Sequence, residues 1–431
     1  MNIDSQAIEL NDQIKTNNQH VFNMLSEKGK TIFFPKQGIL AQSSQALGKQ
    51  INATIGTALE DSGSPMCLPS LWRQIAENKK NIFSYAPSFG RPEIRSHWNS
   101  MLFKKNPSLE GTIVSLPVVT SALTHGLSMA GYLFCRENDE IIIPDLYWEN
   151  YDLVFTHAYG SKMATYETFK GQGYNVMGLK QQIDALPKGK KIVLLNFPNN
   201  PTGYTVTEQE AQEIKDVLVD AANNGNDLVV FIDDAYFGLV FEKGILRESL
   251  FGLLAKAHER ILCVKFDGPT KEDYVWGFRV GFVTFGIKGG NGQLYSALES
   301  KIAGAIRGSI SNASNLGQSL LLNAYQNESY NAEKNERFDV LRRRYEKIRD
   351  IFAEHKEYEE IFRPLPFNSG YFMCVRLSSG NAEQVRQILL AKYDTGIIAQ
   401  GDIIRIAFSS TPFDLLDKLL DNIYLAGKDA V

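Results

Sequence analysis

In an open α/β sheet, ligands bind beyond the carboxyl ends of the strands, so the side chains that follow each predicted strand are the first to weigh as chemistry. After the apolar run KIVLLNF (191–197) comes PNNPTG, where proline and glycine enforce a turn and leave the carboxamide of Asn200 at a strand end. A plain turn accounts for Asn200 equally well at this level. After DLVVFI come Asp233, Asp234, Ala235 and Tyr236, two carboxylates and a phenol emerging from a buried strand. For either acid taken singly, a solvated strand end or a helix cap is the simpler reading. Near the C-terminus, GDIIRIAFSS (401–410) sets Arg405 between Ile404 and Ile406. A guanidinium in a strand-like apolar run is unusual as a pure surface residue, and its planar fork matches a carboxylate better than an ammonium does. VVTSALTHGLSMAG (118–131) supplies a strand-to-helix turn opening on Ser121, Ala122, Leu123 and Thr124. Free N–H groups and the dipole at a helix start favour an anion, although a capping turn would use the same residues. Lys271, taken alone, reads as solvated surface.

The elements that must position these residues alternate in type. Candidate strands are EIIIPD (140–145), KIVLLNF (191–197), DLVVFID (227–233), RILCVKF (260–266) and RVGFVTFG (279–286), separated by amphipathic or polar stretches. That alternation is the pattern of an α/β fold around a mostly parallel sheet. TEQEAQEIKDVLVDAANNGN opens with Thr207 and carries Glu210 three residues on, a capping box, with Ala211, Ile214, Leu218 and Ala221 on one helical face. A charged stretch from Glu333 to Lys356 has Phe338, Leu341, Tyr345, Ile348 and Phe352 at helical spacing, which predicts a long helix running between two domains. KGGNG (288–292) reads as a surface loop.

At 431 residues the chain exceeds what one hydrophobic core usually supports, so two domains are expected. With 44% hydrophobic residues it can build sizeable cores, and a net charge of −4 with scattered Lys and Arg argues against a nucleic-acid partner. Cys67, Cys135, Cys263 and Cys374 lie far apart without metal-ligand spacing and are expected reduced and buried, with no metal. No run approaches the roughly 20 apolar residues of a membrane span, and the polar N-terminus suits neither a signal nor a transit peptide. The expectation is a cytoplasmic protein without a membrane partner.

The order NFPNNPTG (196–203), DDAY (233–236), GPTK (268–271) and GFRVG (277–281) resembles that of class I (aspartate/aromatic-type) aminotransferases, which are pyridoxal-phosphate (PLP) enzymes of fold type I. The resemblance extends over most of the chain, and its weight lies in the combination. Lys271 and Arg279 stand eight apart, as the family's cofactor-holding lysine and phosphate-binding arginine do. The fold it implies is α/β: a large domain with a mostly parallel, seven-stranded sheet flanked by helices, plus a smaller α/β domain. The division expected is 1–65 for an N-terminal arm and part of the small domain, 66–325 for the large PLP-binding domain, and 326–431 for a linking helix and the small domain.

The resemblance also implies roles. Lys271 holds the cofactor through an amine that can shed its proton, and the same amine moves the substrate Cα proton. Asp233 keeps the pyridine nitrogen protonated so that the ring acts as an electron sink, leaving Asp234 a structural part. Asn200 and Tyr236 donate to the ring's 3′ oxygen, and Trp148, in PDLYWENY (144–151), stacks on the ring. Ala122, Leu123 and Thr124 receive the phosphate with Arg279. Tyr85, in FSYAPSFGRPEIR (83–95), reaches the phosphate of the neighbouring subunit, which makes the active unit a homodimer with its sites at the interface. Arg405 binds the substrate α-carboxylate, and Gly56, in NATIGTALEDSG (52–63), lines the substrate entrance. Arg307, in KIAGAIRGSISN (301–312), contacts a side-chain carboxylate across the dimer. Two positions depart from the family: Ala122 stands where glycine is frequent, and Gly268 stands where serine is common, so a phosphate hydroxyl is lost unless Thr270 supplies one. The function implied is transfer of an amino group from aspartate, glutamate or an aromatic amino acid to a 2-oxo acid such as 2-oxoglutarate, by a ping-pong mechanism. A lyase or decarboxylase on the same cofactor, and a non-catalytic PLP-binding regulatory protein, are the alternatives.

Overall fold

The computed structural model describes residues 3–17, 22, 25, 30, 39–54, 56–72 and 84–430. Met1 and Asn2 of the polar N-terminus, and Ile55 and Phe83 of two motif segments, lie outside them. The central sheet has seven strands: β1 (Val118–Thr120), β2 (Glu140–Pro144), β3 (Lys162–Tyr166), β4 (Lys190–Asn196), β5 (Asp227–Asp233), β6 (Ile261–Asp267) and β7 (Gly281–Gly286). Their order across the sheet is β1-β7-β6-β5-β4-β2-β3, and β7 alone runs against the rest. Alternate residues face opposite sides. Ile141, Ile143, Leu194, Phe231 and Phe266 enter one core, while Ile142, Val193, Leu195, Val230 and Cys263 enter another. Burial on both faces is why these strands read as continuous apolar runs.

Helices cover both faces: α1 (Pro92–Lys105), α2 (Ala122–Phe134), α3 (Glu208–Asn223), α4 (Pro269–Glu272), α5 (Gly292–Ser309), α6 (Asn315–Tyr325), α7 (Tyr330–Glu354), α8 (Ala382–Lys392) and α9 (Leu416–Ala430) are the ones that bear on the site. The capping box of α3 is present as predicted. Thr207 Oγ1 accepts from the Glu210 N–H at 3.1 Å, and Glu210 Oε2 accepts from the Thr207 N–H at 2.8 Å. Buried Ala211, Ile214 and Leu218 line the inner face.

A second antiparallel sheet, ordered β8 (Phe362–Pro364), β9 (Phe372–Leu377), β11 (Ile403–Ala407) and β10 (Ile398–Gln400), carries its own core with α8 and α9. Ile51 and Asn52 pair in parallel with Thr395 and Gly396, which ties the N-terminal segment to this unit. The long helix α7 begins three residues before the predicted Glu333. Its Leu341 enters the core of the large sheet, and its Tyr345 and Ile348 enter that of the small one.

Several expectations need correction. Cys263 and Cys374 are buried, but Cys67 is exposed and Cys135 half-buried; all four are free thiols. Gly292 starts α5 rather than ending a loop, because Asn291 caps that helix by accepting from the Leu294 N–H. β7 begins at Gly281, since Arg279 adopts a left-handed conformation (φ 53°) that ends any strand there. β3 was not anticipated.

Candidate active site

The carboxyl ends of β4, β5 and β6 and the start of α2 face the small sheet across a cavity of about 430 Å³. Gly56, Ala122, Leu123, Thr124, Trp148, Asn200, Asp233, Tyr236, Lys271, Arg279 and Arg405 all line it, so segments spread over most of the chain converge on one cavity. Tyr85 and Arg307 do not. Tyr85 is 91% exposed, and Arg307 lies near the end of α5, donating to Ser311 Oγ at 2.7 Å.

Lys271 sits on α4, a short turn that β6 feeds through Gly268 and Pro269. The Tyr371 hydroxyl donates to its backbone carbonyl at 2.8 Å, while its amine lies 5.0 Å from the Tyr236 ring centre. Among the described residues no hydrogen bond or ion pair occupies that amine. Burial lowers its pKa to about 8 from 10.5; Asp233 opposes this drop and Arg279 adds to it. An amine thus eased toward neutrality is a ready nucleophile.

Asp233 ends β5 and is 2% exposed. It accepts from the Tyr151 hydroxyl at 2.7 Å and from the Ala235 N–H at 3.0 Å. Burial still pushes its carboxyl upward, against the pull of Tyr151 and Lys271. Asp234, on the other face, accepts from buried Lys265 at 2.7 Å and from Ser249 at 2.6 Å, so its part is structural.

Arg405 reaches the cavity because side chains alternate along β11: Ile404 and Ile406 enter the small core and Arg405 faces the other way. It is 5% exposed, donates to Asn200 Oδ1 at 3.2 Å and Thr54 O at 3.1 Å, and its Nε has no partner among the described residues. No carboxylate of the described residues forms an ion pair with it. A buried guanidinium with no carboxylate in direct contact, and only Glu149 acting on it from further off, can receive an anion. Because Asn200 accepts through its oxygen, its amide N–H groups remain to donate.

At the opposite end, Ala122 opens α2 with φ 63°, a left-handed position where glycine is favoured. Gly281 must be glycine, for a Cβ there would lie 2.6 Å from the Ala122 carbonyl carbon. The same crowding explains Gly268: a Cβ would meet Gly281 Cα and Val280 O at 3.0 Å, which leaves a serine no room without movement. Thr270 Oγ1, by contrast, is buried on the cavity wall with no hydrogen-bond partner among the described residues. Residues that sequence reasoning did not single out also line the cavity, among them Tyr151, Trp276 and Phe372. Only the spacing of Tyr151 three residues after Trp148 hinted at a shared face.

Residues 48–423 match the model of the aminotransferase class I and II family. The chain belongs to this family. Among curated relatives of these aminotransferases, it is 24% identical to aromatic-amino-acid aminotransferase 2 of Thermococcus litoralis, over 47% of this chain and 49% of that protein. It is 27% identical to the aspartate aminotransferase of Bacillus subtilis, over 46% and 47%. The chain thus spans about half the length of the curated relatives it matches. The fold is shared more widely: an aminotransferase of Anaerococcus prevotii superposes with a TM-score of 0.81 at 22% identity, covering 93% of this chain and 98% of that one. The cytoplasmic aspartate aminotransferase of Saccharomyces cerevisiae superposes with a TM-score of 0.76 at 17% identity, covering 96% and 100%. Among the described residues, no helix is long and apolar enough to cross a membrane.

The donor set also fits the cofactor that the family resemblance implies. An unpaired amine, a buried carboxylate, an unpartnered hydroxyl at Thr270 and the Arg279 guanidinium border one cavity, suited in turn to an aldehyde, a protonated ring nitrogen and a phosphate.

Proposed function

We propose that the protein is a PLP-dependent aminotransferase that moves the amino group of aspartate, glutamate or an aromatic amino acid to a 2-oxo acid such as 2-oxoglutarate. The observation that carries this reading is that the Lys271 amine, with no hydrogen-bond or ion-pair partner among the described residues, and the buried Arg405 guanidinium, with no carboxylate of those residues paired to it, border one cavity. Bound PLP would supply an electron sink for the substrate Cα. Lys271 would hold it, and Asp233 would keep a proton on its ring nitrogen. Asn200 and Tyr236 would donate to its 3′ oxygen, and Trp148 would lie against the ring. The N–H groups of Ala122, Leu123 and Thr124, the Thr270 hydroxyl and Arg279 would bind its phosphate, joined by Tyr85 of the partner subunit in a homodimer.

Arg405 orients the substrate through its α-carboxylate, with Gly56 at the entrance, and this fixes which bond of Cα faces Lys271. The amine of Lys271, once free, would take the proton from the substrate Cα and hold it beside the bound cofactor. With the amino group retained by the cofactor and the 2-oxo acid released by water, a second 2-oxo acid would run the exchange in reverse, giving ping-pong kinetics. Arg307, acting across the dimer, would select a second carboxylate. The site of action is the cytoplasm.

The test is a single-turnover assay of PLP-loaded protein with aspartate, glutamate, tyrosine or phenylalanine, following the 2-oxo acid produced. Stoichiometric 2-oxo acid with retention of the amino group on the cofactor supports transamination. Loss of carbon dioxide or of a side-chain fragment would instead point to a decarboxylase or lyase, and no conversion would point to a binding protein.

A further inference from the structure

Directly after Lys271 the sequence places two acids, Glu272 and Asp273, and both are buried. Two uncompensated negative charges next in sequence to a buried amine would favour its charged form. The fold brings two lysines to them from distant elements. Lys105, at the end of α1, donates to the two Glu272 oxygens at 2.8 and 3.0 Å. Lys334, in α7, donates to Glu272 at 2.8 Å and to Asp273 at 2.9 Å. Tyr330 and Tyr325 occupy the two Asp273 oxygens at 2.7 and 2.9 Å. The quartet is therefore balanced in charge and closed on itself. Buried charges persist only in such an arrangement, so each lysine is answerable to the acid it meets. Around it lie His97, stacked on Tyr325, then Tyr274 and Arg337. On its cavity side Lys271 faces Asp233, Tyr236 and Arg279.

We propose that Lys105 and Lys334 are positioning residues for Lys271: gripping Glu272 and Asp273 from two sides, they fix the turn that carries the amine and cancel the negative charges that follow it. The inference rests on Lys271 being the reactive amine. Because α7 enters both cores, Lys334 also ties this turn to the helix that joins the two sheets.

Charge balance makes a demand that packing alone does not. Removing a lysine leaves one negative charge in excess, removing an acid leaves one positive, and removing both restores neutrality. The experiment measures, in the full-length protein before PLP is added, the pH dependence of Lys271 acetylation by brief pulses of acetic anhydride, read by mass spectrometry. Lys334→Met is expected to move the midpoint upward by roughly one pH unit, and Glu272→Gln downward by a similar amount. The double variant returns it to the wild-type value. Should Lys334→Met fail to fold, Lys105→Met carries the same upward expectation. Midpoints that stay put, or that move the same way in both single variants, would overturn the inference. Since labelling needs no cofactor, shifts of the expected signs in a protein that converts no amino acid would remove the proposed function and leave this inference standing.

Discussion

On the large-sheet side of the cavity, the polar groups are held by short, internal partners: Asp233 by Tyr151 and the Ala235 N–H, and the Lys271 turn by Tyr371 and the ion pairs of its neighbours. On the small-sheet side, Arg405 makes two longer contacts, at 3.2 and 3.1 Å, and keeps a buried Nε unpartnered. The difference separates a wall built to retain one group from a wall built to receive exchangeable ones. Preorganised polar groups favour permanent binding, while an unsatisfied buried cation favours any anion that can enter.

Mutations on the two walls should therefore fail in different ways. The largest effect is expected at the retaining wall, where Lys271→Ala should lower kcat by at least about 10²- to 10⁴-fold, the usual worth of a positioned acid–base group. Turnover within a factor of two of wild type would break the comparison outright. At the receiving wall, Arg405→Ala should reduce kcat/KM about 10- to 100-fold for every amino acid while leaving PLP affinity unchanged, as expected for one lost charge-assisted contact. A loss confined to one substrate would show that Arg405 reads a side chain instead. Tyr151→Phe should weaken PLP binding by about tenfold through Asp233, with substrate KM little altered; equilibrium titration of PLP checks this. The smallest effect lies outside both walls: Thr207→Ala should cost about 1 kcal/mol in urea unfolding and change no kinetic constant.

A pH dependence follows from Lys271 as well. Its folded pKa of about 8 lies below the ordinary 10.5, so between those values the unfolded chain binds more protons than the folded one. Stability contributed at this position therefore rises with pH through that window and is least below pH 8. Lys271→Met should flatten the rise in denaturation curves collected from pH 7.5 to 10.5.

Much of this was legible in the sequence because the site is assembled from strand ends, and continuous apolar runs mark those ends well. β5 was read to the residue, and with it Asp233. The capping box likewise located α3. What escaped did so for physical reasons. β3, KMATY, is a short strand with exposed Lys162 and Thr165 and a half-buried Met163, so no apolar run announces it. Tyr151, Trp276 and Phe372 are aromatics in apolar surroundings, and nothing in residue type separates a core ring from one facing a cavity. At Gly268, where the sequence pointed to a missing phosphate hydroxyl, a Cβ would meet Gly281 Cα and Val280 O at 3.0 Å, a backbone crowding that no residue type announces. Glu272 and Asp273 carried no signal in the sequence, because their partners Lys105 and Lys334 come from the distant α1 and α7.

The central claim is that Lys271 is the residue that holds PLP. It is tested most directly by reducing the PLP-loaded protein with borohydride, digesting it, and locating the added cofactor mass by peptide sequencing. The mass is expected on the peptide spanning Gly268–Arg279, at Lys271, and absent from the Lys271→Ala protein. Cofactor mass on another lysine, or on none, would contradict the assignment.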